Sequence, residues 1–342
     1  MERGSYTQSE ILSQPEAWAN ALNVIEHART NLEPLLNAEY EQVIFTGCGS
    51  TYYLSLAAAA LFQQATGRIA RAVPGGELLF NPQISLTRGK TLLVAISRSG
   101  STTETVHAVD QFKKQNRGAV LAITNYGDQP LAGLADLALV IEKGQEQSVA
   151  QTRSFASMYI AATAMTMLAS GRQDLYLEMS KLPGVGEKLI NKYASLAREI
   201  GERLDIDRFY FLGSGARYGL ACEANLKMKE MTLTHSEPFH FLEFRHGPMS
   251  MVTKSAVVIG MLSDANRTQE QKVLTEMVAL GATVVSLGET GASVNFKSGV
   301  PEGIRNVLTL PILQLTAFYR SIAKNLNPDR PENLTAVVKL EI

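Results

Sequence analysis

Two stretches of this chain carry one plan at one spacing, and that repeat limits the fold more than any single motif does. Residues 47–52 read GCGSTY and residues 213–218 read GSGARY, both GxGxxY, and they stand 166 residues apart. Ser97, which ends LLVAIS, and Ser263, which ends VIGMLS, have the same separation. Each GxGxxY follows an apolar run and opens a small-residue helix, the order of a strand, a glycine turn and a helix. Further on, Gly118 with AVLAIT is answered by Gly281 with ATVVSLG, and ADLALVI by RNVLTLPI over 305–312. A tandem duplication of one α/β unit is expected. Strands that are near-continuous apolar runs, alternating with helices, predict parallel sheets covered on both faces. The fold class is therefore α/β, with two doubly wound five-stranded sheets. The expected organisation is an N-terminal helical arm (1–38), a first domain (39–173), a helical linker (174–203) and a second domain (204–342), with one long helix over 147–170. Ligands of such sheets bind outside the carboxyl ends of the strands, where the glycine and serine loops lie.

Composition removes several functions. Lys+Arg 32 against Asp+Glu 33 leaves a formal net charge of −1, so no global field points to nucleic acid or an acidic membrane. The opening MERGSYTQSEILSQPEAW is polar and does not read as a secretory signal. No apolar run approaches the roughly 20 residues of a membrane helix. The two cysteines, Cys48 and Cys222, are too far apart for a metal-binding spacing, and a reducing cytoplasm is the expected location.

The chemistry concentrates in three places. Glu223, Lys227 and Glu230 stand at i, i+4 and i+7, within roughly 60° of one another on one helical face. Their helix follows a strand and a glycine turn, so the charged stripe is expected about two turns from a ligand crevice. Downstream, His235, His240 and His246 lie in a segment of little period, read as a loop that could house acid/base chemistry. In the first half, SRSGSTTET over 97–105 sets hydroxyls at Ser97, Ser99, Ser101 and Thr102 around Gly100, just before a helix. Ser50 and Thr51 add two more from the neighbouring loop. Helix capping needs only one hydroxyl; six on two adjacent loops suit a phosphate monoester held by neutral donors and helix N–H groups. The matching second-half loop, SDANRTQEQ, lacks that pattern. One half thus reads as the phosphate holder and the other as the carrier of the charged helix, with a sugar phosphate expected in the crevice between them. A dinucleotide reading of GxGxxY is set aside, because Tyr52 and Tyr218 replace the third glycine and no acidic residue follows the first copy within 63–70. There is no Walker lysine for a nucleoside triphosphate.

At GCGSTYY, SRSGSTTET, EANLKMKE, FRHGP and NPDRPENLTAVVKLE the chain resembles the SIS (sugar isomerase) family. Within it, the resemblance is to the isomerase half of glucosamine-6-phosphate synthase and its aminosugar-phosphate isomerase and deaminase relatives. The resemblance implies that Cys48, Gly49, Ser50, Thr51, Ser97, Arg98, Ser99 and Thr102 bind the substrate and its phosphate. Arg98 stands where glutamine is usual, either adding a charge-assisted contact or facing solvent. It further implies that Glu230 is the base moving a proton between C1 and C2, and that Glu223 and Lys227 line the site and position the open-chain sugar. The resemblance also implies that His246 assists ring opening, reaching the site from a second subunit of a homodimer. Val149 and Gln151 match a substrate-lining loop, Gln151 replacing a serine. Burial against Leu226, Met228 and Met231 is expected to raise the Glu230 pKa and Lys227 to oppose that shift. No metal or cofactor is needed for this route.

Two departures bear on the reaction. The family's glutaminase segment and N-terminal cysteine are absent from the sequence, which predicts no ammonia from glutamine. Ala336 stands at the family's Schiff-base lysine; Lys339, three residues on, is on the other side of an extended strand and is not promoted to that role. The expected reaction is deaminating isomerisation of an aminosugar 6-phosphate, glucosamine-6-phosphate giving fructose-6-phosphate and ammonia. The alternatives are a ketose/aldose phosphate isomerase, a fructosamine-6-phosphate deglycase, an ammonia-dependent synthase-like activity or a non-catalytic sugar-phosphate sensor.

Overall fold

The computed structural model describes residues 2–338 and 340. The chain forms two compact units that interleave along the sequence. One holds Ser13–Glu146, Arg153–Ser180 and the chain from Thr335; the other holds the chain up to Leu12, Gln147–Thr152 and Lys181–Leu334.

The first unit is built on β1 (Gln42–Gly47), β2 (Ala70–Pro74), β3 (Thr91–Ser97), β4 (Gly118–Thr124) and β5 (Leu137–Val140), all parallel, in the order β2-β1-β3-β4-β5. Every residue of β1 and β3 is buried, as their unbroken apolar runs require. Alternate side chains face opposite ways. Ile44, Leu93 and Ala95 join Ala108, Val109 and Phe112 of helix α2 (Thr103–Lys114) in one core. Phe45, on the other face, meets Phe62 of helix α1 (Ser50–Thr66) edge to face, with ring centres 5.8 Å apart.

The second unit repeats this with β6 (Arg208–Leu212), β7 (His235–Phe239), β8 (Ala256–Met261), β9 (Thr283–Gly288) and β10 (Val294–Asn295), parallel, in the order β10-β9-β8-β6-β7. Matched strand for strand, that is the first unit's order. Helix α3 (Ala216–Thr232) is α1 displaced by the 166-residue offset at both ends. The turns before the two helices share one backbone. Gly49 has φ 56° and ψ −123°, and Gly215 has φ 59° and ψ −133°, a conformation that a side chain strongly disfavours. In both sheets the order reverses beside the central strand, between β1 and β3 and between β6 and β8, where ligand crevices form.

Three readings of the sequence are corrected. The run over 305–312 is no strand: Asn306–Thr309 is a 3₁₀ turn and Leu310–Ala323 a helix, and the fifth strand is β10. A short apolar run fits a buried helix as well as a buried strand, and Pro311 occupies the first turn of this helix. The histidine-bearing stretch after α3 starts as strand β7, paired along one edge of β6, where Pro238 is tolerated. The helix expected over 147–170 begins at Arg153. Residues 147–152 instead pack with the second unit, where Gln147 N–H donates to Glu10 Oε1 at 2.6 Å and Val149 N–H to the Asp329 carbonyl at 3.0 Å. No helix among the described residues is long and apolar enough to cross a membrane.

Candidate active site

The first unit gathers its hydroxyls at the carboxyl ends of β1 and β3. After β3 the chain turns through Gly100, and four hydroxyl side chains close on one another. Ser97 Oγ lies 3.2 Å from Thr102 Oγ1, Ser99 Oγ lies 3.5 Å from Thr102 Oγ1, and the Ser101 hydroxyl donates to Ser99 Oγ at 3.3 Å. Gly100 N–H donates to Ser97 Oγ and Ser101 N–H to Ser99 Oγ, each at 3.2 Å. Thr102 is the N-cap of α2, yet its side chain makes no cap bond. The hydroxyl cluster is therefore not accounted for by capping. After β1, Thr51 has a different part. Its Oγ1 accepts from Cys48 N–H at 2.9 Å and its hydroxyl donates to the Cys48 carbonyl at 2.9 Å, which fixes the turn that presents buried Ser50. The Cys48 thiol lies 3.5 Å from Thr105 Oγ1, and burial pushes its pKa up, keeping it a neutral thiol.

Arg98 does not face solvent. It is 7% exposed and pairs at 3.5 Å with Glu146, whose side chain is fully buried, while its Nη2 donates to the Ala336 carbonyl at 3.0 Å. Glu146 in turn accepts from Ser154 N–H at 3.1 Å. Leu340 N–H donates to Thr103 Oγ1 at 3.2 Å. The C-terminal segment is thus tied at two points beside the hydroxyl loop, Ala336 being one of them. Lys339 lies outside the described residues.

In the second unit, α3 places its three charges as the spacing predicts. Lys227 Nζ lies 3.4 Å from Glu223 Oε1 and is also ion-paired with Glu230 Oε2. The side chains of Glu223 and Lys227 are each 1% exposed and that of Glu230 is 20%. Of the three, Glu230 is the one open to a substrate. Lys227 thus stands between two carboxylates, one buried and one partly open. His246 ends the 3₁₀ turn Glu243–Arg245, exposed, with its N–H donating to the Glu243 carbonyl at 3.0 Å. Val149 and Gln151 lie in the short segment that packs with this same unit, and Gln151 Oε1 is buried without a hydrogen-bond partner among the described residues. His235 is an exposed strand residue, and His240 stacks on Tyr218 with ring centres 3.9 Å apart.

The sequence-predicted residues therefore fall into two groups. Cys48 to Thr51 and Ser97 to Thr102 belong to the first unit; Glu223, Lys227, Glu230, His246, Val149 and Gln151 belong to the second. Glu146 escaped sequence reasoning. Its partner Arg98 is 48 residues away, and the only hint was an arginine in a loop of hydroxyls that already sufficed for an anion.

The SIS domain model matches residues 36–168 and 204–294, well over half of the chain and both halves of the repeat. The chain belongs to the SIS domain family. Among solved structures, this SIS chain is similar to the glucosamine-6-phosphate deaminase of Thermotoga maritima, at 29% identity and a TM-score of 0.84, covering 98% of this chain and 100% of that one. A tagatose-6-phosphate ketose/aldose isomerase from Escherichia coli shares the fold, with a TM-score of 0.84 at 24% identity over 96% of each chain. Among curated proteins, a glutamine–fructose-6-phosphate aminotransferase (isomerizing) of Pyrobaculum aerophilum is 30% identical over 97% of this chain and 57% of its own length. The chain spans under three fifths of the length of such relatives, the Pyrococcus horikoshii protein included at 59%.

Proposed function

We propose that this SIS chain is a phosphosugar isomerase whose reaction is the deaminating isomerisation of an aminosugar 6-phosphate, glucosamine-6-phosphate giving fructose-6-phosphate and ammonia. The observation that carries the reading is the α3 triad: one carboxylate, Glu230, is reachable, and it is held by a lysine that is itself buried against a second carboxylate. Such a group takes a proton beside a carbonyl and returns it one carbon away. Ser50, Ser97, Ser99 and Thr102 hold the phosphate through neutral donors, on a turn shaped by Cys48, Gly49 and Thr51.

With the sugar ring open, Glu230 removes the C2 proton beside the C1 aldehyde, the C–H electron pair forms the C1=C2 bond, and the C1 oxygen takes a proton from the substrate's own ammonium, giving the enolamine. Return of that proton to C1 gives the C2 iminium, which water converts to the ketone with release of ammonia. The substrate's own amine supplies the iminium, so Ala336 in place of a lysine is no obstacle. Glu223 and Lys227 orient Glu230 and the open-chain sugar, and Val149 and Gln151 line the sugar. His246, exposed in the single chain, assists ring opening for a second copy in a homodimer. The free thiols of Cys48 and Cys222 fit a reducing cytoplasm. The likeness over its full length to the Thermotoga maritima deaminase supports ammonia as the product.

Coupled measurement of ammonia and of ketose phosphate from hexosamine 6-phosphates, on wild type and Glu230→Gln, tests this. Release from glucosamine-6-phosphate that falls by about 10²–10⁴-fold in the variant is expected, with sugar-phosphate binding retained. Interconversion of aldose and ketose phosphates without ammonia would replace deamination by plain isomerisation. Binding without turnover of any sugar phosphate would make the chain a sensor.

A further inference from the structure

The second sheet has the same strand order as the first and its own switch point between β6 and β8, yet the phosphate reading makes no use of the loops there. In the position of the hydroxyl loop, Ser263 N–H donates to Glu270 Oε2 at 2.6 Å and the Ser263 hydroxyl to the same oxygen at 3.1 Å. The protein's own carboxylate thus occupies the donors that would otherwise meet an anion. Glu270 is 2% exposed, and its second oxygen, Oε1, is buried without a hydrogen-bond partner among the described residues. It lines a cavity of about 460 Å³, within the range of small-molecule sites.

The cavity's polar groups are Ser214, His240, Glu243, Asn266, Gln269 and Glu270, and Phe241 and Leu242 supply an apolar side. No lysine or arginine is among these residues. Burial pushes the Glu270 pKa up, opposed by its bonds from Ser263 and by the nearby Arg217 guanidinium, which is also ion-paired with Glu302. Burial holds the His240 imidazole below its usual pKa, favouring the neutral ring near pH 7. Two carboxylates in a lining without lysine or arginine disfavour a phosphate and favour a cation. The amides, the hydroxyl and the imidazole suit hydroxyl groups, and an apolar wall suits the C–H face of a sugar.

We propose that this crevice is a second small-molecule site, separate from the phosphate loops, that takes an unphosphorylated amine-bearing sugar or polyol with its ammonium on Glu270. Isothermal titration of the full chain near neutral pH with glucosamine, glucose and inorganic phosphate tests it. Saturable binding of glucosamine is expected, with glucose at least about tenfold weaker, the loss of one charge-assisted bond. Glu270→Gln should bring the two sugars level. Leu242→Trp, which fills the cavity from an exposed position without touching the Ser263–Glu270 bonds, should abolish binding even if Glu270→Gln fails to fold. Ser99→Ala, in the phosphate loop, should leave glucosamine binding unchanged. Absence of saturable glucosamine binding, equal binding of glucose, or binding that survives Leu242→Trp but is lost in Ser99→Ala would each overturn the proposal. The ammonia assay on phosphorylated substrates reads the other site, so the two readings fail independently.

Discussion

Helices α1 and α3 occupy equivalent places in two copies of one fold, have the same length and follow the same glycine turn, yet their surfaces differ in kind. At the 166-residue offset, Glu223, Lys227 and Glu230 answer Ala57, Leu61 and Gln64. Ala57 is fully buried and Leu61 is 3% exposed. The second copy therefore carries ions where the first packs core. The loops differ in the opposite sense. In the first copy the loop after β3 keeps a cluster of hydroxyls, whereas in the second Glu270 closes the equivalent loop from within. After duplication, each copy departed from a generic α/β unit at a different place, and each departure has its own physical cost. Ions inside α3 forfeit hydration, and the hydroxyls of the first loop satisfy one another through bonds as long as 3.5 Å.

Exchanging the helices sharpens the contrast most. Lys227→Leu alone strands two carboxylates and is expected to destabilise the fold by about 3–5 kcal/mol, read by urea unfolding. Writing the first copy's residues into the second, Glu223→Ala with Lys227→Leu and Glu230→Gln, should recover most of that loss and abolish turnover. If the triple variant is no more stable than Lys227→Leu, the two helices do not share a packing environment and the comparison breaks.

A smaller effect is expected in the hydroxyl loop. Ser99→Ala removes one donor to a charged group, about 1.5–3 kcal/mol, so KM for a sugar phosphate should rise by at least about tenfold while unfolding changes little. In the second copy's loop, Ser263→Ala should leave KM alone and lower stability instead, since it takes a donor from buried Glu270. A rise in KM from the second-copy variant would show that both loops bind the phosphate.

The smallest effect separates nothing, and that is its use. Gly49→Ala and Gly215→Ala meet no atom within 4 Å of the added Cβ, so each should cost only backbone strain, about 1–3 kcal/mol, and by the same amount. Unequal midpoints in thermal unfolding would mean that divergence reached the turns as well.

Much of this was legible locally. The strand, glycine turn and helix units, the i, i+4, i+7 stripe on α3 and the hydroxyl run before α2 involve residues within one or two elements of each other, where the periods of helix and strand apply directly. The run over 305–312 misled because its apolar residues are buried on all sides, and a segment buried all round has no period to read. The start of the Arg153–Ala169 helix was missed for a related reason: the preceding six residues are held by Glu10 and Asp329, far away in the chain.

By itself, then, the sequence determined the duplication, the class of sheet, the glycine turns and which short stretches bear charge or hydroxyls, since each depends on neighbours in the chain. Only the tertiary structure decided that Arg98 is tied to Glu146 and the carbonyl of Ala336, that Glu230 alone of its triad is reachable, and that Glu270 fills the second loop. Those are matters of burial and of partners brought together from distant positions, and the free energy of a charge depends on both.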